Sequence, residues 1–158
     1  MELPVISRLK KELADLKYEL TVKLPKELQT AAAHGDLSEN AEYDAAKHRQ
    51  DFVRSRIAQI EARVRELSMY TVASIPHGVV AYGSRVTIAD VDSGDETEYR
   101  IVFPEEVDAS AGLISLSSPI GRAMMNKAEG DEVEVQTPSG RRTYQIVSLV
   151  TLHEQGQN

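Results

Sequence analysis

Two acidic residues, Asp36 and Glu39, lie three positions apart in the polar stretch His34-Gly35-Asp36-Leu37-Ser38-Glu39-Asn40-Ala41-Glu42-Tyr43. Carboxylates are hard oxygen donors, and binding a divalent cation such as Mg2+ is the chemistry such a pair supports. Magnesium takes about six oxygen ligands and keeps several waters, so two side chains make no tight site by themselves. They can complete a metal site that another molecule begins. The same spacing also has a structural reading. Asp-x-x-Glu is a capping-box pattern, in which Asp36 would cap the following helix and Glu39 would reach back to it. Spacing alone leaves both readings open. They are compatible, because a helix start also orients carboxylates.

The elements that must position this pair flank it on both sides. Before it, the apolar residues run Ile6, Leu9, Leu13, Leu16 and Leu20, in the steps of three and four that make a coiled-coil seam. Ser7 is the candidate N-cap of this helix. The seam then continues through Leu24 and Leu28, and Pro25 should kink or locally interrupt it. Ala31, Ala32 and Ala33 favour helix, and Gly35 is suited to ending it. After the acidic pair come Ala46, Val53, Ile57, Ile60, Val64 and Leu67. Two seams joined by a short polar turn predict an antiparallel helical hairpin over residues 1–74, with its tip at 34–42. Arms of about 28 residues at roughly 1.5 Å each give a rod on the order of 40 Å long. Such a rod should carry Asp36 and Glu39 at the end of a projecting finger.

Pro76, Gly78 and Gly83 punctuate the next segment, and 75–83 reads as a linker or a first short strand. From Ser84 the apolar period falls to two. Strands Arg85–Asp90 and Glu98–Phe103 flank the turn signal Asp92-Ser93-Gly94-Asp95. A short strand is expected at Leu113–Leu116. A short helix should follow from Pro119 to about Asn126, capped by Ser118. A final hairpin joins 131–136 to 142–152 through Pro138-Ser139-Gly140. Residues 84–153 therefore predict a small antiparallel sheet with one helix, making the chain α+β. Residues 154–158 read as a disordered tail.

Composition narrows the function. The chain has 158 residues, with 18 Lys and Arg against 25 Asp and Glu, a formal charge of -7. Tight free-standing binding to nucleic acid needs clustered cations, which this balance disfavours. Trp is absent and aromatics are few, against base-stacking platforms. There is no Cys, which excludes disulfides, Cys-based zinc sites and thiol nucleophiles. No stretch reaches the roughly 20 apolar residues of a membrane span, and the first residues do not read as a signal peptide. A soluble intracellular protein is expected. The second arm carries Lys47, His48, Arg49, Arg54, Arg56, Arg63 and Arg65, read either as a solvated face or as contacts to phosphates or an acidic wall. His34, His48, His77 and His153 fit no metal-ligand spacing. Ser115–Ala123 reads as a capped helix start that could also belong to a docking surface. There is no phosphate loop and no nucleophile elbow.

The stretch HGDLSENAEYDAAK, residues 34–47, resembles the signature tip of the bacterial Gre transcript cleavage factors. The resemblance continues through Ile57–Leu67 and into GDETEYRIV, ISLSSPIGRA, GDEVEV and TPSGRRTYQIV, in the same order over nearly the whole chain. It implies a coiled-coil hairpin followed by an FKBP-like domain. It also implies a cytoplasmic, monomeric factor that docks at the secondary channel of RNA polymerase and stimulates cleavage of the 3′ end of backtracked RNA. The factor would not itself be an enzyme. On this resemblance Asp36 and Glu39 are the catalytic carboxylates, lent to the polymerase active site to share Mg2+. Tyr43, Lys47, Arg49 and Arg54 would contact the nascent RNA or the channel. Ser117, Ser118, Pro119, Ile120 and Arg122 would dock the globular domain on the polymerase. In two places the chain departs from the family pattern. Ala32-Ala33 stand where relatives often carry Arg-Glu, and the Thr21–Pro25 region replaces an Arg-Pro pair, leaving Lys47 as the matching basic position. A non-cleaving regulator of the same channel is the alternative. A prolyl isomerase and a plain coiled-coil adaptor are the other rivals; scarce aromatics argue against the isomerase.

Overall fold

The structure, a computed structural model, describes residues 2–34 and 40–155. The chain divides into two compact units, Glu2–Tyr70 and Thr71 onward.

The first unit is the predicted helical hairpin. Its first arm begins with α1 (Pro4–Tyr18), whose N-cap is Leu3 rather than Ser7. Pro4 sets the helix start: its ring fixes φ, and its missing N–H is one the first turn would leave unpaired anyway. The Ser7 hydroxyl instead donates to Glu2 Oε1 at 3.0 Å. A π-helical turn, Glu19–Lys23, joins α1 to α2 (Leu24–Ala32). Pro25 explains this turn, because it has no N–H for the carbonyl of Thr21 and its ring crowds that carbonyl. The backbone widens, and the N–H of Leu24 donates to Glu19 O, five residues back. The wider turn also suits the seam. Leu16, Leu20, Leu24 and Leu28 step by four throughout, more than an α-helix can keep on one face. A turn with i→i+5 bonding absorbs the excess.

The second arm is α3 (Ala41–Leu67). Leu9, Leu16, Leu24 and Ala31 from the first arm and Ala46, Val53, Ile57, Ile60 and Leu67 from the second are buried. Register is fixed by two forked ion pairs. Arg49 Nε and Nη2 donate to the Glu19 carboxylate at 2.6 and 2.9 Å. Arg56 Nε and Nη2 donate to Glu12 at 2.9 and 3.2 Å. Along each arm the two pairs are one heptad apart, as an antiparallel coiled coil requires.

The second unit opens with a 3-10 turn, Val72–Ser74, closed by a reciprocal Thr71–Ser74 capping box. No strand lies between Ser68 and Ser84, so the short strand considered for the linker does not form. The sheet order is β3-β2-β1-β5-β4. It is built from β1 (Arg85–Asp90), β2 (Glu96–Val102), β3 (Leu113–Ser115), β4 (Glu132–Thr137) and β5 (Gly140–Val150). Neighbours are antiparallel except β2 and β3, which are parallel. The connection from β2 runs through two 3-10 turns, Pro104–Glu106 and Ala109–Ala111, long enough to return the chain in the same direction. Val86, Ile88, Ile101, Val133 and Ile146 form one apolar face, covered by Met124 of the short α4 (Pro119–Met124).

The end of the chain differs from expectation. Leu152–Gln155 form a helical turn, α5. The Gln155 amide donates to the carbonyls of Gly83 at 2.7 Å and Val150 at 3.1 Å, and its oxygen accepts from Arg100 Nη2. With a further bond to the carbonyl of Thr151 at 3.3 Å, four partners anchor this side chain, so residues 154 and 155 belong to a helical turn, while 156–158 lie outside the described residues.

Asp90 holds the β1–β2 turn. One carboxylate oxygen accepts from the N–H groups of Asp92 and Ser93, and the other from Arg142. The backbone donors, with Arg142 next, hold its carboxyl below the usual range. A depressed native pKa stabilises the fold above the unfolded value, near ~4, and that stability is lost as pH falls through the native value. Asp90→Asn should therefore lower the melting temperature at neutral pH, and the gap should close in acid as the wild-type carboxyl gains its proton. A gap that stays constant into acid would mean the charge is not its source. A second expectation concerns Gly121, where a Cβ would sit 2.2 Å from Ser115 O. Gly121→Ala should cost about 1–3 kcal/mol by denaturant unfolding, as overpacking against fixed backbone does.

Candidate functional site

The tip is built where the arms meet. Asp36 and Glu39 lie outside the described residues, as does Gly35. What surrounds them is clear. α2 ends at Ala32 with Ala33 as C-cap. The N-cap of α3 is Asn40, in extended conformation, and its Oδ1 accepts from the N–H of Tyr43 at 3.0 Å. The cap that spacing offered to Asp36 is thus filled by Asn40. The sequence signal was available, since Asn ranks with Asp as an N-cap. Asp-x-x-Glu is the more familiar pattern, and it places the cap four residues too early.

Asn40 also reaches across the hairpin. Its Nδ2 donates to the carbonyl of Ala31 at 2.6 Å. That carbonyl belongs to the last turn of α2, where helix oxygens lack i+4 donors, and it also accepts from the N–H of His34 at 3.1 Å. One side chain therefore gives a carbonyl of the first arm a second donor and satisfies an orphan donor of the second. Both ends of the tip segment are tied to the same residue. Glu42 and Asp44 in the first turn of α3 complement its dipole.

The basic residues of the second arm separate into two groups. Tyr43, Lys47 and Arg54, four and seven apart, share one stripe of α3, with Lys47 and Arg54 exposed and Tyr43 half-buried. Arg54 is 4.0 Å from Asp51. Arg49 lies off that stripe. It is forked onto Glu19, which lowers the Glu19 pKa and raises its own, and its guanidinium sits 5.1 Å from the Phe52 ring. Arg56 is held by Glu12, and Arg63 is 3.1 Å from Glu66. Between the arms lies an open cavity of about 660 Å³, lined by Lys23, Lys26, Glu27, Glu42, Ala46 and Arg49. Lys23 and Lys26 were not singled out from sequence. They flank Pro25, in the region taken to lack a basic contact, and the π-turn brings them to the groove beside Arg49.

In the second unit, the Ser117–Arg122 set divides between structure and surface. Ser118 is the N-cap of α4: its hydroxyl accepts from the N–H of Gly121 at 3.1 Å and donates to Ser115 O at 2.6 Å. Ile120 packs against the core. Ser117, Pro119 and Arg122 are exposed. The histidines are not all scattered: His77 and His153 stack with centroids 3.8 Å apart, and His153 Nε2 is 2.7 Å from Ile75 O. No group of three or more His, Cys, Asp or Glu among the described residues could hold a metal ion.

Two family models match the chain consecutively. The transcription elongation factor N-terminal model covers residues 5–68, and the GreA/GreB C-terminal model covers 75–150. The chain belongs to the GreA/GreB family of transcription elongation factors. It is 43% identical to transcription elongation factor GreA of Hyphomonas neptunium, over 87% of this chain and 89% of that protein. It is also 43% identical to GreA of Anaeromyxobacter sp. strain K, over 94% of this chain and 89% of that one. A solved GreA/GreB structure from Nitrosomonas europaea is 30% identical, covering 60% of this chain and 78% of that chain at a TM-score of 0.43. No helix among the described residues is long and apolar enough to cross a membrane.

In this Gre-family chain, Asn40 should matter for stability in two separable ways. Asn40→Ala removes cap and cross-arm bond together and should cost about 1–2 kcal/mol in hairpin unfolding. Asn40→Asp keeps the cap acceptor but has no donor for Ala31 O, so it should lose only part of that. Equal losses for the two variants would show that the cross-arm bond contributes nothing.

Proposed function

We propose that this elongation factor enters the secondary channel of RNA polymerase and stimulates the polymerase to cleave the 3′ end of backtracked RNA. The family assignment supports the transcription role. The observation that carries the finer reading is the place of Asn40. The start of α3 is capped without Asp36, so the carboxylates of Asp36 and Glu39 are not required as helix caps, and the capping box no longer competes with the metal reading.

The donor set fits a shared magnesium ion. Asp36 and Glu39 offer hard oxygen ligands, and two of about six are too few to hold the ion without the polymerase. A bound Mg2+ would supply Lewis-acid stabilisation of charge developing on the phosphodiester. The chain's own residues do the remaining work. Asn40 and the seam below it hold together the two helix ends that flank the acids in the chain. Glu39 orients or deprotonates the attacking water. Tyr43, Lys47 and Arg54 present one stripe to the channel or the RNA, while Lys23, Lys26 and Arg49 line the groove between the arms. Ser117, Pro119 and Arg122 are the outward-facing part of the docking surface, with Ser118 and Ile120 shaping it from within. The catalyst is the polymerase, and this chain lends it ligands.

The test uses a defined arrested elongation complex with 3′-labelled RNA. Asp36→Asn and Glu39→Gln should each reduce stimulated cleavage on the order of a hundredfold or more, several kcal/mol of transition-state stabilisation. Both should still compete with the wild-type chain for the polymerase. Wild-type rates from both variants would remove the acids from the mechanism. Binding without cleavage by the wild-type chain itself would identify a non-cleaving channel regulator.

A further inference from the structure

Among the described residues, a single buried side-chain nitrogen or oxygen has no hydrogen-bond partner: Nε of Arg85. Arg85 in β1 lies directly opposite Arg100 in β2. Like charges opposed across an antiparallel pair destabilise it unless negative charge lies between them. Both residues belong to the face of the sheet away from the core, since Val86 and Ile101, the next residues along, point inward. Neither forms an ion pair with a described residue, and the partner of Arg100 is the neutral amide oxygen of Gln155, at 2.9 Å. Other arginines of the same sheet are treated differently. Arg141 is 3.6 Å from Glu134, and Arg142 is paired with Asp90.

Arg85 and Arg100, with Glu98, Tyr99 and Gly112, line a surface cavity of about 350 Å³. This is a cationic spot in an acidic unit. From Thr71 onward the chain has 6 Lys and Arg against 13 Asp and Glu. A guanidinium fork matches the geometry of carboxylate and phosphate oxygens, and two arginines on paired strands that line one cavity suit an anion bound by both. The geometry points to a binding site in this cavity for one oxyanion, of the phosphate or carboxylate kind, held between Arg85 and Arg100. Glu98, which lines the same cavity, and the acidic composition of the unit disfavour a long polyanion, so the ligand is a single group rather than a nucleic-acid strand. The site is independent of the tip and of the cleavage reading.

The full-length chain, labelled with 15N at arginine, is titrated with inorganic phosphate and separately with acetate, at ionic strength held constant with sodium chloride. The Nε–H signals of Arg85 and Arg100 should shift saturably with at least one of them. Arg100→Gln should weaken that binding at least tenfold, and Arg85→Gln should abolish it. If Arg85→Gln does not fold, Arg85→Lys, which keeps the charge but loses the fork, should weaken binding tenfold or more in its place. Tighter binding of phosphate assigns a phosphate source, and tighter binding of acetate a carboxylate one. Shifts that stay linear with both anions, or that persist unchanged in Arg100→Gln, would overturn the site.

Discussion

The register between the two arms is the constraint on which the hairpin depends. A slip of α3 along α1 would carry Val53, Ile57 and Ile60 off the leucines they cover. It would also part Arg49 from Glu19, Arg56 from Glu12, and Asn40 from Ala31. These contacts do not weigh equally. Burying a Val, Leu or Ile side chain is worth about 1.5–3 kcal/mol, and several are buried along the seam. An exposed ion pair is typically worth about 1 kcal/mol or less, and the Arg49 side chain is 46% exposed. The seam therefore supplies the energy. The forked pairs, one heptad apart, discriminate against the alternative registers that a run of similar leucines would tolerate.

The π-turn at Glu19–Lys23 belongs to the same constraint. A proline inside a helical arm looks like a defect, and a seam that steps by four looks like a drift away from the partner helix. Each corrects the other. Pro25 removes a bond that a tight α-turn would need, and the widened turn returns Leu24 and Ala31 to the buried side. Substituting Pro25 alone would leave the four-residue steps with nothing to absorb them. The two features are best regarded as one device that lets the first arm keep its seam all the way to the tip.

Much of this was legible in the sequence because hydrophobic period is a strong signal over long segments. Both arms, the strands β1 to β5 and the Ser118–Pro119 helix start follow from period and punctuation. What escaped depends on single polar side chains acting over distance. Asn40 was hidden behind a more familiar pattern, and its bond to Ala31 O exists only once the arms are paired. Gln155 could not be seen to fix the end of the chain, because its partners Gly83 and Val150 are brought beside it by the sheet. The parallel pairing of β2 with β3 depends on how the 3-10 turns between them route the chain, and three residues of strand carry little direction. The stacking of His77 on His153 is invisible for the same reason: sequence distance says nothing about proximity across a fold.

The charge of the chain illustrates how a global quantity misleads when the units differ. A net charge of -7 disfavours contact with nucleic acid, taken over the whole chain. The excess, however, belongs entirely to the second unit. Residues 1–70 contain 12 Lys and Arg against 12 Asp and Glu. Within that neutral hairpin the charges are arranged, with Glu12 and Glu19 consumed by Arg56 and Arg49 and with Lys47 and Arg54 on one exposed stripe. Electrostatic screening confines exposed charges to about 10 Å at ordinary ionic strength, far less than the roughly 40 Å length of α3. A phosphate beside Lys23, Lys26 and Lys47 would therefore sense those cations and the acids close to them rather than the net charge of the whole chain. The expectation drawn from composition concerns free-standing binding. It does not extend to a hairpin whose phosphate contacts would be made inside a partner that has already positioned the strand.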